Sequence, residues 1–315
     1  MRDLGALPKA NLHLHLTGSM RPGTLAELAA RSRLPLPPPL PGGVTHGWEA
    51  FQSRYDAARA VLRTAADITR VVAEATSGDA AWVEIQVDPV SYAVPLGTPE
   101  AVVEAALAGG AGLILASSWA ASPAVALEVA HLAARYAGRG VIGFGLSNDE
   151  RRGRVEDFAP ACRVVAEAGL RIVPHGGFYE GPWHVRRCVE LLGAHRVGHG
   201  LTASGDPAVV RLLADTGVAL EICPASYPPL GVSTVAELPV RALLGAGVPV
   251  VLGSDDPLLF GVGLTGQYEL LRAEAGLTDE ELAAIARHSV AASSAPPPLK
   301  ATMLAGVDAW LGAAG

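Results

Sequence analysis

Along the 315-residue chain, apolar positions gather in short runs, each followed by a longer Ala- and Leu-rich stretch with helical spacing. Eight runs have the length and character of strands: ANLHLHL (10–16), AWVEIQV (81–87), GLILAS (112–117), GVIGFGL (140–146), LRIVPH (170–175), HRVGHG (195–200), VALEICP (218–224) and VPVVLGS (248–254). Between them the spacing predicts helices over 124–137, 156–168, 183–193, 207–216 and 237–246. Glycine stops such as EAGL, DTGV and GAGV stand directly before a strand, where a helix closes on a left-handed residue. Strands alternating with helices predict a parallel sheet, and eight in one chain close most economically into a (β/α)8 TIM barrel of the α/β class. The rival, a doubly wound open sheet, lacks a GxGxxG turn after its first strand.

Two proline-rich stretches interrupt the alternation. RSRLPLPPPLPGG (31–43) cannot continue a helix or enter a central strand, because proline fixes φ and has no N–H to donate. It reads as a surface excursion after the first strand, leading into helices over 47–75. SSAPPPLK (293–300) punctuates the end before a last helix over 299–312. No solenoid repeat or linker is visible, so a single domain over 1–315 is expected.

Half of the residues are hydrophobic and 17% are charged, enough to bury a large core. A formal charge of −7 and scattered arginines, the tightest group being Arg151, Arg152 and Arg154, argue against a nucleic-acid or anionic-membrane surface. Cys162, Cys188 and Cys223 lie in three separate segments without a CxxC spacing, which predicts reduced thiols. The N-terminal MRDLGALPKANLHLH lacks a signal-peptide core, and no apolar run is long enough to span a bilayer. A cytoplasmic protein is the expectation.

The polar residues placed on this scaffold carry the chemistry. His13 and His15 are two apart in a strand and share a face, a poor arrangement for a core and a good one for chelation. His175 ends the fifth strand, His199 the sixth, and Asp255 with Asp256 the eighth, all at the barrel face where active sites are built. Three histidines and a carboxylate suit Zn²⁺ or another divalent transition metal, one per chain. Asp256 has two readings, a residue that handles substrate and a proton, or the N-cap of the next helix. Glu221 faces either the barrel interior or the helices. His46, His131, His184 and His195 show no such pattern and read as loop or helix-surface residues, with His288 left open.

PKANLHLHLTGSM, VGHG, LEICPAS and VVLGSDDPLLFG resemble the signatures of the adenosine deaminase family of the amidohydrolase superfamily, in order from about residue 7 to 312. The resemblance implies a metal-dependent hydrolase that deaminates a purine-like nucleoside or related amino-heterocycle. His13, His15, His175 and Asp255 would bind the metal, and His199 would orient or deprotonate water. Asp256 would accept a hydrogen bond from the heterocycle, Thr17 and Gly18 would touch the sugar side, and Ser147 and Asn148 would lie along the base.

Three positions depart from the family. Gly145 stands where adenosine-specific members commonly have aspartate, and Tyr227 is followed by two prolines where many relatives have asparagine. Family members read His-Ala-Gly-Glu at the end of the fifth strand, the glutamate protonating the ring; here the residues are His175-Gly176-Gly177-Phe178. Either Glu180 folds back as a surrogate acid, or the substrate needs no ring protonation and Phe178 packs against it, or the protein binds without turnover. Beside a deaminase, the alternatives are therefore a member repurposed for a non-deaminating ring opening or closure, and a ligand-binding pseudoenzyme.

Overall fold

The computed structural model describes residues 1–40 and 43–313. Its strands are β1 (Ala10–Asn11), β2 (Trp82–Val87), β3 (Gly112–Ser118), β4 (Val141–Ser147), β5 (Arg171–Gly176), β6 (Arg196–His199), β7 (Ala219–Ile222) and β8 (Val250–Leu252). They run parallel in chain order. The ring is closed beyond β1 and β8, where His15 N–H donates to the Asp255 carbonyl at 3.1 Å and Asp255 N–H to the His13 carbonyl at 2.9 Å. This is the expected (β/α)8 barrel.

The strands read as apolar runs because helices cover one face and the barrel interior the other. Side chains such as Leu113, Leu115, Val197 and Leu220 are fully buried. Local chemistry sets the helix ends. Thr64 with Asp67 and Thr278 with Glu281 form capping boxes, and Gly217 closes the helix Pro207–Thr216 in the left-handed region at φ 68°.

Some boundaries shift. The first helix, Pro22–Ser32, takes in the first two residues of the proline-rich stretch, since its first proline, Pro35, most strongly disfavours helix at the residue just before it and leaves Arg31 and Ser32 able to close the last turn. The last helix starts at Pro297, two residues earlier than expected, because proline is tolerated in a first turn whose N–H groups have no partner anyway. The stretch expected helical over 237–246 is α-helical only over Val240–Gly245. Residues 35–40 have no regular structure, and Pro41 and Gly42 lie outside the described residues. The helices that follow, Trp48–Arg59 and Ala65–Thr76, match the expectation. Among the described residues no helix is long and apolar enough to cross a membrane.

Candidate active site

His13 and His15 do share a side, with ring centroids 5.2 Å apart, and the His175 ring lies 4.5 Å from that of His13. Nε2 of His15 is 3.2 Å from Nε2 of His175. The Asp255 carboxylate stands 3.5 Å from Nε2 of His15 and 3.7 Å from Nε2 of His13. The four expected ligands therefore converge on one point.

Their outer contacts aim them there. Nδ1 of His13 donates to Glu221 Oε2 at 2.7 Å, and Nδ1 of His175 donates to the Leu146 carbonyl at 2.9 Å, so both rings turn Nε2 inward. Nε2 of His13 is buried and has no protein hydrogen-bond partner. Burial opposes charge on His13, but the nearby carboxylates of Asp255 and Glu221 outweigh it and lift its pKa to about 10. A divalent cation at the same lone pair would take that proton's place. Burial, reinforced by the neighbouring His13, holds His15 down at about 4 and His199 at about 3, neutral as ligands and bases must be. The donor set fits a divalent metal ion.

Close backbone approach makes this convergence possible. A Cβ on Gly198 would come within 2.8 Å of the His13 ring, and one on Gly18 within 1.8 Å of Asp256 Oδ1. Three residues that aim chemistry inward, Asn148, His199 and Asp255, sit at or just beyond strand ends with φ of 67°, 65° and 58°. Left-handed backbone costs a non-glycine residue roughly 1–2 kcal/mol, and such strain clusters at functional sites.

Glu221 faces inward, which settles the orientation that spacing left open. Behind it Arg196 donates through Nε to Glu221 Oε1 at 2.5 Å and through Nη2 to Glu84 Oε2 at 2.6 Å. His13, Glu221, Arg196 and Glu84 thus form one fully buried charged chain running down from the site.

Asp256 occupies the N-cap position of the short helix Pro257–Phe260 but makes no capping hydrogen bond, and its Oδ1 is buried without a partner. Burial and the charge of Asp255 push its pKa well above the usual carboxylate range. Burial works against ionisation of Asp255 too, yet His13 and the other rings close by hold it well below that range.

Asp255, Asp256, His15, His175 and His199 open onto a cavity that Ser147, Asn148 and Phe178 also line. The Phe178 ring stands edge-on to His199 at 4.6 Å. Aromatic residues from the helix Trp48–Arg59 (Trp48, Phe51 and Tyr55) and Tyr179 line the cavity as well. Phe51 is stacked on Phe260 at 5.3 Å.

Other expected residues stand one layer back. Thr17 is fully buried and hydrogen-bonded to the Tyr92 hydroxyl at 2.7 Å. Gly18 packs on Asp256. Tyr227 is buried, its oxygen accepting the Cys223 N–H at 2.8 Å and lying 3.4 Å from His199 Nδ1. Glu180 is half-buried on the loop after β5, beside Tyr179 but not itself among the residues lining the cavity. His184 departs from its expected surface position. It is buried against Trp119 at 5.2 Å and beside Cys188, because both face inward one turn apart on the helix Pro182–Glu190. His131 and His195 are exposed.

Among the lining residues that the sequence did not bring to notice are Gln86 and Glu150. Gln86, 2% exposed at the end of β2, has no protein partner for either carboxamide atom. Gln86→Leu is expected to raise the unfolding free energy by about 1–3 kcal/mol, the cost of a buried unpaired polar group, while lowering kcat/KM. Denaturant unfolding beside steady-state kinetics checks this; a less stable variant with unchanged kinetics would count against a ligand-facing Gln86.

Comparison with known proteins agrees with the geometry. The adenosine deaminase family model matches residues 8–310. A Streptomyces virginiae protein named provisionally as an adenosine/adenine deaminase is 47% identical, covering 98% of each chain. The adenine deaminase of Rhizobium leguminosarum bv. trifolii is 32% identical over 95% of this chain and 98% of its own. The crystal structure of an adenine deaminase from Arthrobacter aurescens superposes with a TM-score of 0.87 at 27% identity, covering 98% of this chain and 100% of the other. These names favour deamination over the non-deaminating and pseudoenzyme alternatives. With eight parallel strands, a converging His/Asp cluster and a family match over nearly its whole length, the chain belongs to the adenosine deaminase family and is an aminohydrolase.

Proposed function

We propose that the chain is a zinc-dependent enzyme that hydrolyses the exocyclic amine of an adenine-like heterocycle, working in the cytoplasm. The observation that carries this reading is the convergence of His13, His15, His175 and Asp255, with two imidazoles aimed inward by acceptors on their outer nitrogens. Its three cysteines are free and buried, in keeping with a reducing compartment.

His13, His15, His175 and Asp255 would hold the ion, which in such sites makes water acidic enough to ionise near neutral pH. His199, neutral and buried beside them, takes the proton of the attacking water and delivers it toward the leaving amine. Asp256, with an unpartnered Oδ1 on the cavity wall, accepts an N–H of the heterocycle and fixes the orientation of the amino-bearing carbon. Phe178 and the aromatic side chains of the mouth cover the ring and limit water at the reacting carbon. Ser147 and Asn148 lie along its edge. Thr17, Gly18 and Tyr227 act from behind the wall, Gly18 by seating Asp256 and Tyr227 by steadying His199.

The test combines metal analysis with ammonia release. The purified protein is expected to hold about one equivalent of zinc and to release ammonia from a 6-aminopurine base or its nucleoside. A protein that binds the metal but releases ammonia from none of a panel of aminopurines would overturn the substrate class; one that binds no divalent metal would overturn the site.

A further inference from the structure

Attack of water on the amino-bearing carbon of an aromatic heterocycle drives an electron pair onto the adjacent ring nitrogen. That nitrogen needs a proton as the bond forms, and Phe178 has none to give. Resting on the deaminase reading above, we propose that Glu150 is the proton donor of this enzyme, delivering its carboxyl proton to the ring nitrogen.

Glu150 opens the 3-10 turn Glu150–Arg152 after β4, is 2% exposed and lines the cavity. Its Oε1 accepts the backbone N–H groups of Phe178, Tyr179 and Glu180 at 2.9, 2.8 and 2.6 Å. The carboxyl is thus strapped to the backbone of the very segment whose side chain lacks the acid. All three donors meet one oxygen, while Oε2 takes part in no hydrogen bond among the described residues. Oε2 is therefore the oxygen free to carry a proton and meet a ligand, while the three amides on Oε1 stabilise the anion left once that proton is given up.

The surroundings keep the proton in place until it is needed. Burial raises the pKa of Glu150 and outweighs the three amide hydrogen bonds, which lower it, and the charge of Glu180 adds to the rise. The other groups that face it are Tyr179 on the same loop, Cys188 on the helix Pro182–Glu190 and Arg151 on its own turn. The tyrosine and the thiol are both pushed upward by burial and so stay neutral. Arg151 is engaged by both oxygens of Asp149, at 2.8 and 2.9 Å, which blunts its pull. When Glu150 gives up its proton from Oε2, the charge spreads over both oxygens and the three amides already on Oε1 stabilise it, so the anion forms with little reorganisation.

The step balances. The Glu150 O–H bond breaks and a ring N–H bond forms as the water oxygen joins carbon. The C–N bond to the amine then breaks, the amine leaving as ammonia with the proton taken up by His199. The ring N–H stays in the product, and the second proton of the water returns through cavity solvent to Glu150.

Glu150→Gln tests this, because its amide oxygen can still accept the three N–H groups but the residue cannot act as an acid. The variant is expected to fold with an unchanged thermal midpoint and metal content, and to lose about 10²–10⁴-fold in kcat. It should also lose the fall in kcat at high pH that marks a required acid. A 6-chloropurine, whose carbon is more electron-poor, should lose less. Infrared difference spectra of the metal-loaded proteins give a readout independent of turnover. The parent-minus-variant spectrum at neutral pH should show the carbonyl stretch of a protonated carboxyl that Glu150→Gln has lost, apart from any band of Asp256 common to both. Unchanged kcat and pH profile in Glu150→Gln, absence of that carbonyl band, or loss of the high-pH limb in Glu180→Gln instead, would each overturn the proposal. A parent that shows the band but deaminates no aminopurine would leave the buried acid standing and sink the substrate reading.

Discussion

Arg196→Ala is expected to destabilise the fold by about 3–5 kcal/mol, the cost of breaking a buried ion pair by removing one partner. The guanidinium is fully buried and joins Glu221 on β7 to Glu84 on β2, with a third donor on the Ala292 carbonyl at 3.0 Å. Without it, two buried carboxylates lose their cation. Glu221 is held below its usual range by Arg196 and His13 against the pull of burial. Losing Arg196 draws Glu221 toward its protonated form, and a protonated Glu221 is a poorer acceptor for Nδ1 of His13. Metal affinity should therefore fall about 10–100-fold, as is usual when the outer partner of a ligand histidine is lost. Arg196→Lys should recover part of the stability, since lysine keeps the charge but cannot bridge both carboxylates with a planar fork. Denaturant unfolding with a metal titration measures both effects. A loss under 1 kcal/mol with full metal affinity would show the charged chain to be incidental.

Asp256→Asn is expected to lower kcat by about 10²–10⁴-fold while bound metal stays near the parental level. Asn fits the same space, which matters because Gly18 packs so closely that a Cβ there would fall 1.8 Å from Oδ1. What the amide changes is charge and proton affinity on the atom that meets the heterocycle. Asp255→Asn should do the opposite in order of cause, lowering metal content first and turnover as a consequence. Kinetics paired with elemental analysis of both variants separates the two carboxylates; an Asp256→Asn protein that loses its metal would reassign Asp256 as a ligand.

Much of the architecture was legible because period-two and helical spacing are local properties. The HxH pair shows why: two residues on one face of a strand stay together whatever the neighbouring strands do. Glu221 was visible as a carboxylate inside an apolar run, but its pairing with Arg196 and Glu84 depends on the register of three strands around a closed ring. Glu150 was hidden for the opposite reason. In SNDERRG it reads as one more solvated turn residue, and only the fold brings the 178–180 loop over it. His184 could have been found, since His184, Val185 and Cys188 make an inward helical face.

The left-handed residues at the ends of β4, β6 and β8 have a consequence for how such a site can diversify. Aspartate, asparagine and histidine are among the side chains that tolerate this backbone best after glycine. Asn148, His199 and Asp255 come from that same short set. Backbone geometry and chemistry therefore draw on one restricted alphabet at these positions. A β-branched or bulky apolar replacement would meet a conformational barrier before any question of catalysis arose. Phe178 carries no such constraint, whereas Gly177 beside it holds the positive φ of 66°. New reactions are accordingly easier to reach through position 178 than through the three strand ends.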